Sequence, residues 1–332
     1  VKYIFKRLGF YLIAFVAAVT INFFIPRLMP GDPVQMYMAK LYQTSGKIDA
    51  ETIAAVEKLF GFNRDQPLIQ SYIEYVGNIF SGNWGISFSQ FPLTVTEALS
   101  RGLNWTMFLM GTSLIISFII NNLLGILAAW KRGSRLDSVL TVGGQLMSNI
   151  PAVVLALLVS YTFARSEIFG IFPSGYAVTP LFRPANVMQY IGDVAYHAFL
   201  PVSCIVMLQL GGIMGMRANM INQLGEDYIA MGRAKGVPER KLMFSYGARN
   251  ALLPVVTTFA MQVGFMLGGS LIIEVVFNYP GLGKVMLGAL NSRDYPLMQG
   301  ILLMSTILML SANFLADMML LILDPRLRKQ GR

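Results

Sequence analysis

Charge is what this chain has least of. Only 13% of its 332 residues are Asp, Glu, Lys or Arg, against about 25% in a soluble globular chain, and that deficit excludes an ordinary water-soluble domain. Cysteine is almost missing as well: the lone Cys204 rules out an internal disulfide and any Cys-x-x-Cys chemistry, and core filling inside an apolar run accounts for it. A single histidine, His197, cannot build a histidine-rich metal site. Neither His-Glu-x-x-His nor Gly-x-Ser-x-Gly occurs. Gly281-Leu-Gly283-Lys284-Val285 lacks the Ser or Thr that follows the lysine of a phosphate-binding loop. Val142-Gly-Gly-Gln145 imitates part of an ATPase signature, but it sits in an apolar run that nucleotide does not reach. Intramembrane aspartyl proteolysis needs two embedded aspartates, and only Asp317 lies well inside a run. No catalytic residue, metal ligand or cofactor-binding residue is expected.

What the chain has instead is apolar length. Hydrophobic residues make up 55% of it, gathered in six runs at 8–24, 105–130, 139–163, 198–216, 255–277 and 298–323. About 20 apolar residues at 1.5 Å each cross roughly 30 Å of hydrocarbon. The expectation is an all-α polytopic membrane protein with six transmembrane helices. Lys2, Lys6 and Arg7 before the first run have the look of the basic start of a signal peptide, yet its apolar core is long and no small-x-small site precedes Pro26-Arg27. A retained first span is expected. With the N-terminus inside, 16 of the 26 Lys and Arg fall in cytoplasmic segments, so the positive-inside rule puts both termini in the cytoplasm. Topology then explains the formal charge of +9 without nucleic acid.

Four parts follow: an N-terminal transmembrane helix at 1–28, an extracytoplasmic helical segment at 29–103, a five-helix core at 104–323 with a cytoplasmic loop at 217–254, and a cytoplasmic tail at 324–332. In the external segment, Asp49 precedes a helix whose Ile53, Val56, Leu59 and Phe60 share a face and which Gly61 can stop. Pro67 opens a second, with Ile69, Tyr72, Ile73, Val76, Ile79 and Phe80 at helical spacing. A short amphipathic piece follows at 95–99. The segment is either a helical cap packed on itself and the spans, or also the receiving surface for an extracytoplasmic partner. The loop at 165–197 is expected to be external.

Polar groups in a span are costly facing lipid and turn inward. Asn121, Asn122, Gln145, Asn149, Gln209, Gln262 and Glu274 therefore either hydrogen-bond between helices or line a translocation path. Gly264 and Gly268 make a small-xxx-small packing pair.

The cytoplasmic loop is the most specific part. Gly225 breaks the preceding helix, and Glu226 and Asp227 favour a new start by complementing exposed N-terminal amides. Ala230, Met231, Arg233, Ala234 and Lys235 favour helix, and Gly236 supplies a stop. Val237-Pro238 turns the chain into a further helix running to about Leu252. A helix of roughly ten residues, with small Ala230, Gly232 and Ala234, suits a partner's groove. Taken generically it is equally a plain surface helix.

Ala230-Met-Gly-Arg-Ala-Lys-Gly236 resembles the EAA-type coupling motif of ABC importer permeases. Tyr228-x-x-x-x-Arg-Ala-Lys-Gly236 followed by Arg249-Asn-Ala-Leu-Leu-Pro254 is similar to the dipeptide/oligopeptide/nickel permease family, B-type subunit. Pro30-Gly-Asp-Pro33, Gln66-Pro67, Gly82-Asn-Trp-Gly-Ile-Ser87, Glu274-Val-Val-Phe277, Tyr279-Pro-Gly-Leu-Gly283, Arg293-Asp-Tyr-Pro296 and Asp324-Pro-Arg326 extend the resemblance over nearly the whole chain. Ala230 stands where the general motif has its glutamate, so an ion pair from that position is unavailable.

The resemblance implies a type I ABC importer permease fold in a prokaryotic cytoplasmic (inner) membrane. It implies a second, C-type permease subunit, two cytoplasmic ABC ATPase domains that bind the ATP and Mg, and an extracytoplasmic substrate-binding protein. It assigns ATPase coupling to Glu226, Asp227, Tyr228, Ala230, Gly232, Arg233, Ala234, Lys235, Gly236, Val237 and Pro238. Peptides are the family's commonest cargo, with oligosaccharides and metal chelates as alternatives. The rival class, an autonomous secondary transporter or channel, would bring an inverted repeat or charged midplane residues, and neither is evident.

Overall fold

The computed structural model describes residues 2–28, 42, 66–164, 168–265 and 271–323. The helix expected after Asp49, the Pro30–Pro33 motif, Gly268 and the tail from 324 lie outside the described residues. What is described is helical; the one β feature among those residues is a lone bridge between Ile86 and Thr94. α1 (Lys2–Leu28) contains the first apolar run. α2 (Leu68–Ser81) begins after Pro67 and ends at Gly82, where φ is 75°, a left-handed stop that favours glycine. α3 (Val95–Trp130) is one helix of 36 residues, so the piece expected separately at 95–99 is the first turn of the second span's helix. A reciprocal cap starts it: Glu97 N–H donates to Thr94 Oγ1 at 3.3 Å and Thr94 N–H to Glu97 Oε2 at 3.0 Å.

The third span is not straight. α4 (Arg135–Ser148) and α5 (Ala152–Ala164) meet at a bend of 103°. Pro151 has no N–H to continue the ladder, and both Ser148 Oγ and Asn149 Nδ2 bond back to the Gln145 carbonyl, at 2.9 and 2.6 Å. The fourth span lies earlier than its apolar run suggests. α6 (Val187–Leu208) starts inside the stretch expected to be loop, and the run at 198–216 is broken after Leu208 before α7 (Gly212–Leu224) resumes. α8 (Asp227–Ala234) and α9 (Glu239–Lys241) follow. A π-helical stretch, Leu242–Ala248, then leads into α10 (Arg249–Phe265). α11 (Leu271–Val276), α12 (Leu282–Ser292) and α13 (Tyr295–Leu323) complete the order.

Four of these helices are long and apolar enough to cross a membrane, and the bent pair makes up to five. Among the described residues the count of six is not confirmed exactly: the run at 255–277 is divided between the 17 residues of α10 and the six of α11, with 266–270 undescribed.

The chain forms two compact units. The first comprises the described residues up to 106 and those at 280–311; the second comprises the described residues of 107–279 and 312–323. In the first unit, Val95, Leu99, Leu282, Leu297, Met298 and Ile301 form a buried cluster. Gly102 and Gly300 permit its close packing: a Cβ on Gly102 would lie 3.2 Å from Leu282 N, and one on Gly300 only 2.2 Å from Val95 Cγ1. Thr106 Oγ1 accepts the Leu282 N–H at 2.8 Å and so caps α12.

Asp294, fully buried, ties the loop before α3 to the start of α13. Its Oδ2 accepts Ser87 Oγ at 2.5 Å, Ser89 N–H at 2.8 Å and Ser89 Oγ at 2.8 Å, while Oδ1 accepts Leu297 N–H at 3.1 Å. Removing a buried acceptor with several donors costs about 3 kcal/mol. Asp294→Ala is therefore expected to free the loop around Ser87, raising its rate of limited proteolysis by roughly a hundredfold; an unchanged cleavage rate would contradict the role given to Asp294.

Candidate functional site

The site is the segment from α7 to α10, within the second unit. α8 starts at Glu226, whose backbone is extended and whose side chain makes no capping bond, with Asp227 in the first turn. It ends in a Schellman arrangement: Val237 N–H reaches back to the Gly232 carbonyl at 3.1 Å and Gly236 N–H to that of Arg233 at 3.0 Å. Gly236 has φ of 72°, which a side chain would strain. Pro238 then caps α9.

Two residues anchor α8, Ile229 and Gly232, one helical turn apart and both buried. A Cβ on Gly232 would lie 2.7 Å from Leu242 Cδ2, so the backbone of α8 rests directly on the π-helical stretch. On the other side of that stretch a Cβ on Gly247 would lie 2.6 Å from Met220 Cε of α7. Met216, Met220, Met243, Ala248 and Ala251 form the buried core beneath, with Ile126 and Ala129 of α3. Tyr228 adds polar ties, donating to Gln223 Oε1 at 2.7 Å and accepting from Asn250 Nδ2 at 3.1 Å. Arg233 and Glu239 pair at 3.4 Å, but both are more than half exposed, and such pairs contribute little. The outward side of α8 is left to Ala230, Met231, Arg233, Ala234 and Lys235, all exposed, of which only Arg233 has a charged partner among the described residues.

A partly buried ion pair holds α7 to α4. Arg217 donates through Nε to Asp137 Oδ1 at 2.5 Å and through Nη2 to Oδ2 at 2.7 Å. Asp137 Oδ2 also accepts Gly133 N–H at 3.0 Å, and Asp137 N–H bonds Ser134 Oγ at 3.2 Å as the cap of α4. Further along, a Cβ on Gly144 would lie 2.8 Å from the Leu210 carbonyl, and one on Gly125 2.6 Å from Met216 Cβ. α7 is thus gripped by α3 and α4 along its length.

The seven polar span residues do not form one lining. Asn121 Nδ2 donates to the Gln209 carbonyl at 2.8 Å, and Ser117 Oγ donates to Gln209 Oε1 at 2.7 Å, so two of them meet at the α6–α7 break. Asn122 turns back on the Phe118 carbonyl at 2.6 Å. Asn149 bonds the Gln145 carbonyl at the α4–α5 bend. Gln262 is exposed and Glu274 fully buried. His197 packs as a clamp: its Nδ1 lies 2.9 Å from the Gly175 carbonyl and its Nε2 3.1 Å from Thr179 Oγ1. Thr179 in turn donates to both oxygens of Asp193, at 2.6 and 2.7 Å. Among the described residues no cluster of His, Cys, Asp or Glu is arranged to hold a metal.

Sequence reasoning missed Ile229, the Asp137–Arg217 pair and the π-helical stretch. Ile229 and Gly232 stand three apart, the spacing of a buried stripe, and Ser134-Arg-Leu-Asp137 is a helix-start pattern.

The described helices, four of them long and apolar enough to cross a membrane, define a polytopic helical membrane protein. Residues 121–329 match the binding-protein-dependent transport system inner membrane component family, and the chain belongs to it. The matched stretch holds α8 and all seven polar span residues. Over 342 aligned residues the chain is 32% identical to the di/tripeptide transport system permease protein of Pseudomonas aeruginosa (strain UCBPP-PA14), covering 99% of each chain. It is 31% identical to the oligopeptide transport system permease protein of Bacillus subtilis (strain 168), over 92% of this chain and 93% of the relative. The glutathione transport system permease protein of Escherichia coli O1:K1 / APEC is 30% identical over 98% and 99%.

Asp137 is buried and Arg217 partly so, and removing one side of such a pair strands the other, whereas replacing both with apolar groups costs far less. Asp137→Ala is expected to lower the thermal midpoint of the purified protein markedly, and Asp137→Ala with Arg217→Met to recover much of the loss. Equal destabilisation by the single and double variants would contradict this.

Proposed function

We propose that the chain is a permease subunit of an ATP-driven importer, carrying peptides delivered by an extracytoplasmic binding protein. The observation that carries the proposal is the near full-length similarity to permeases named for di/tripeptide and oligopeptide transport. In this reading both termini are cytoplasmic and the segment 29–103 faces the binding protein. A second permease subunit completes the path, and two ATPase domains bind and hydrolyse the ATP with its Mg. The chain itself has no catalytic part.

Coupling runs through 226–238. Ala230 and Ala234 let an ATPase groove approach the backbone of α8, Met231 fills it, and Arg233 and Lys235 supply charge at the rim. Closure of the ATPases moves α8. Ile229 and Gly232 pass the displacement to the π-helical stretch, and the Arg217–Asp137 pair and the glycine contacts of α7 pass it on to α3 and α4. Alternating access follows as movement of these packed helices. Of the proposed path residues, Asn121, Gln145, Asn149 and Gln209 stand at or beside helix breaks, where a change in packing alters what they expose, and Asn122, Gln262 and Glu274 complete the set.

Co-purification of the tagged chain from native membranes, with ATPase assayed with and without loaded binding proteins, tests the assembly. A second permease and ATPase subunits, stimulated by a peptide-loaded binding protein, are expected; a chain that purifies alone and transports without ATP would overturn the reading. Substituting Gly232→Val or Gly236→Trp disturbs the seat or the stop of α8. In the assembled complex each is expected to cut uptake per ATP hydrolysed by roughly tenfold, the upper range of what one residue does to coupling between sites. Normal uptake by Gly236→Trp would count against α8 as the coupling element.

A further inference from the structure

The helix α2 presents more apolar surface than its neighbours cover. At 100° per residue, Tyr75, Leu68, Ile79, Tyr72, Val76, Ile69, Phe80 and Ile73 occupy a continuous arc of about 160°. Gln70, Glu74 and Asn78 lie on the opposite side, four residues apart. Among the described residues, the contacts of the apolar arc with α1 are made at one edge, by Tyr72 and Tyr75. Tyr72 stacks edge-on against Phe23 of α1, with centroids 5.2 Å apart, and its hydroxyl lies 2.8 Å from Thr20 Oγ1. Tyr75 packs on the same Phe23 ring at 5.6 Å. The other edge is bare: Ile69 is 77% exposed, Ile73 65% and Phe80 77%.

The depth of that contact identifies what covers the bare edge. The apolar window of α1 ends at Ile25. Thr20 and Phe23 therefore lie inside the span, Thr20 by about 7 Å at 1.5 Å per residue. A helix whose tyrosines reach them sits at the membrane surface, not above it. The neighbouring groups are those of an interface belt: Arg27, just past the span, lies 3.6 Å over the Phe23 ring and donates to the Phe23 carbonyl at 3.0 Å, and burial pushes the Tyr75 phenol up to about 12. Ile21 and Phe24 on α1 are themselves exposed, so a lipid-facing surface already exists beside the docked tyrosines.

We infer that α2 is an interfacial helix whose Ile69–Ile73–Phe80 edge is buried in the headgroup–acyl boundary of the bilayer, at the C-terminal end of the first span, while Gln70, Glu74 and Asn78 face water. Such helices lie in the membrane plane with their apolar side some 5–10 Å deep. α2 carries no Lys or Arg, so its attachment is apolar and indifferent to lipid charge. It anchors the start of α3, since only 13 residues separate Ser81 from Val95 and the loop between is held by Asp294.

Spin labels at Ile69→Cys, Ile73→Cys and Phe80→Cys, compared with Gln70→Cys and Asn78→Cys, test this in the full chain purified with its co-purifying subunits into nanodiscs. Cys204, the chain's one native cysteine, is fully buried and does not compete for label. Collision rates with oxygen and with a water-soluble nickel chelate are read at each site. The three apolar sites are expected to give an oxygen-to-nickel ratio on the order of tenfold above that at Gln70 and Asn78, unchanged between neutral and anionic lipid. Nickel collisions at Ile69, Ile73 and Phe80 equal to those at Gln70 would show a water-facing edge and overturn the inference. Exclusion of both reagents at the three sites would show a protein covering, and would overturn it equally.

Discussion

Inside hydrocarbon a backbone amide has no water to turn to, and every interruption of a helix must be repaired from within the protein. That constraint organises the second unit. The bend between α4 and α5 is repaired by Ser148 and Asn149 returning to the Gln145 carbonyl. The break between α6 and α7 is repaired by Asn121 on the Gln209 carbonyl and Ser117 on the Gln209 side chain. A rigid straight bundle would need none of these groups. The breaks place α7 where α3 and α4 can grip it, and the segment that follows inherits its position from that grip.

The same economy of polar groups appears in the first unit, where one buried carboxylate, Asp294, serves two serines and two backbone amides. It brings together two of the family-like segments, Gly82–Ser87 and Arg293–Pro296, which lie more than 200 positions apart. A resemblance in sequence thereby becomes a contact with a physical reason. Thr106 and Gly102 do the same for Gly281–Gly283, fixing the start of α12 against α3.

Legibility in the sequence follows the range of the interaction. Local signals are readable: Gly236 as the stop of α8, Pro67 before α2, apolar length for α1, α3 and α13. The start of α6 is hidden because the stretch before residue 198 is rich in Pro, Gly and aromatics, while Thr179 and Gly175, brought in from a distance, satisfy its Asp193 and His197. The bend at Asn149–Pro151 is hidden because apolar composition stays high across it. The Asp137–Arg217 pair joins residues 80 apart, beyond any local pattern, and from sequence Arg217 speaks only to orientation. The polar span residues are legible as a set, but not that Asn121, Asn149 and Gln209 make hydrogen bonds at helix breaks.

The proposed coupling rests on one helix, held from beneath by Ile229 and Gly232, with a small-residue face turned outward. The most direct measurement places a photo-crosslinking amino acid at Met231, on the open face of α8, and at Ile229, beneath it, in the complex assembled in native membranes. Adducts from Met231 to an ATP-binding subunit, with none from Ile229, are predicted. An intact complex in which Met231 yields no such adduct, while other positions on the chain do, would contradict it.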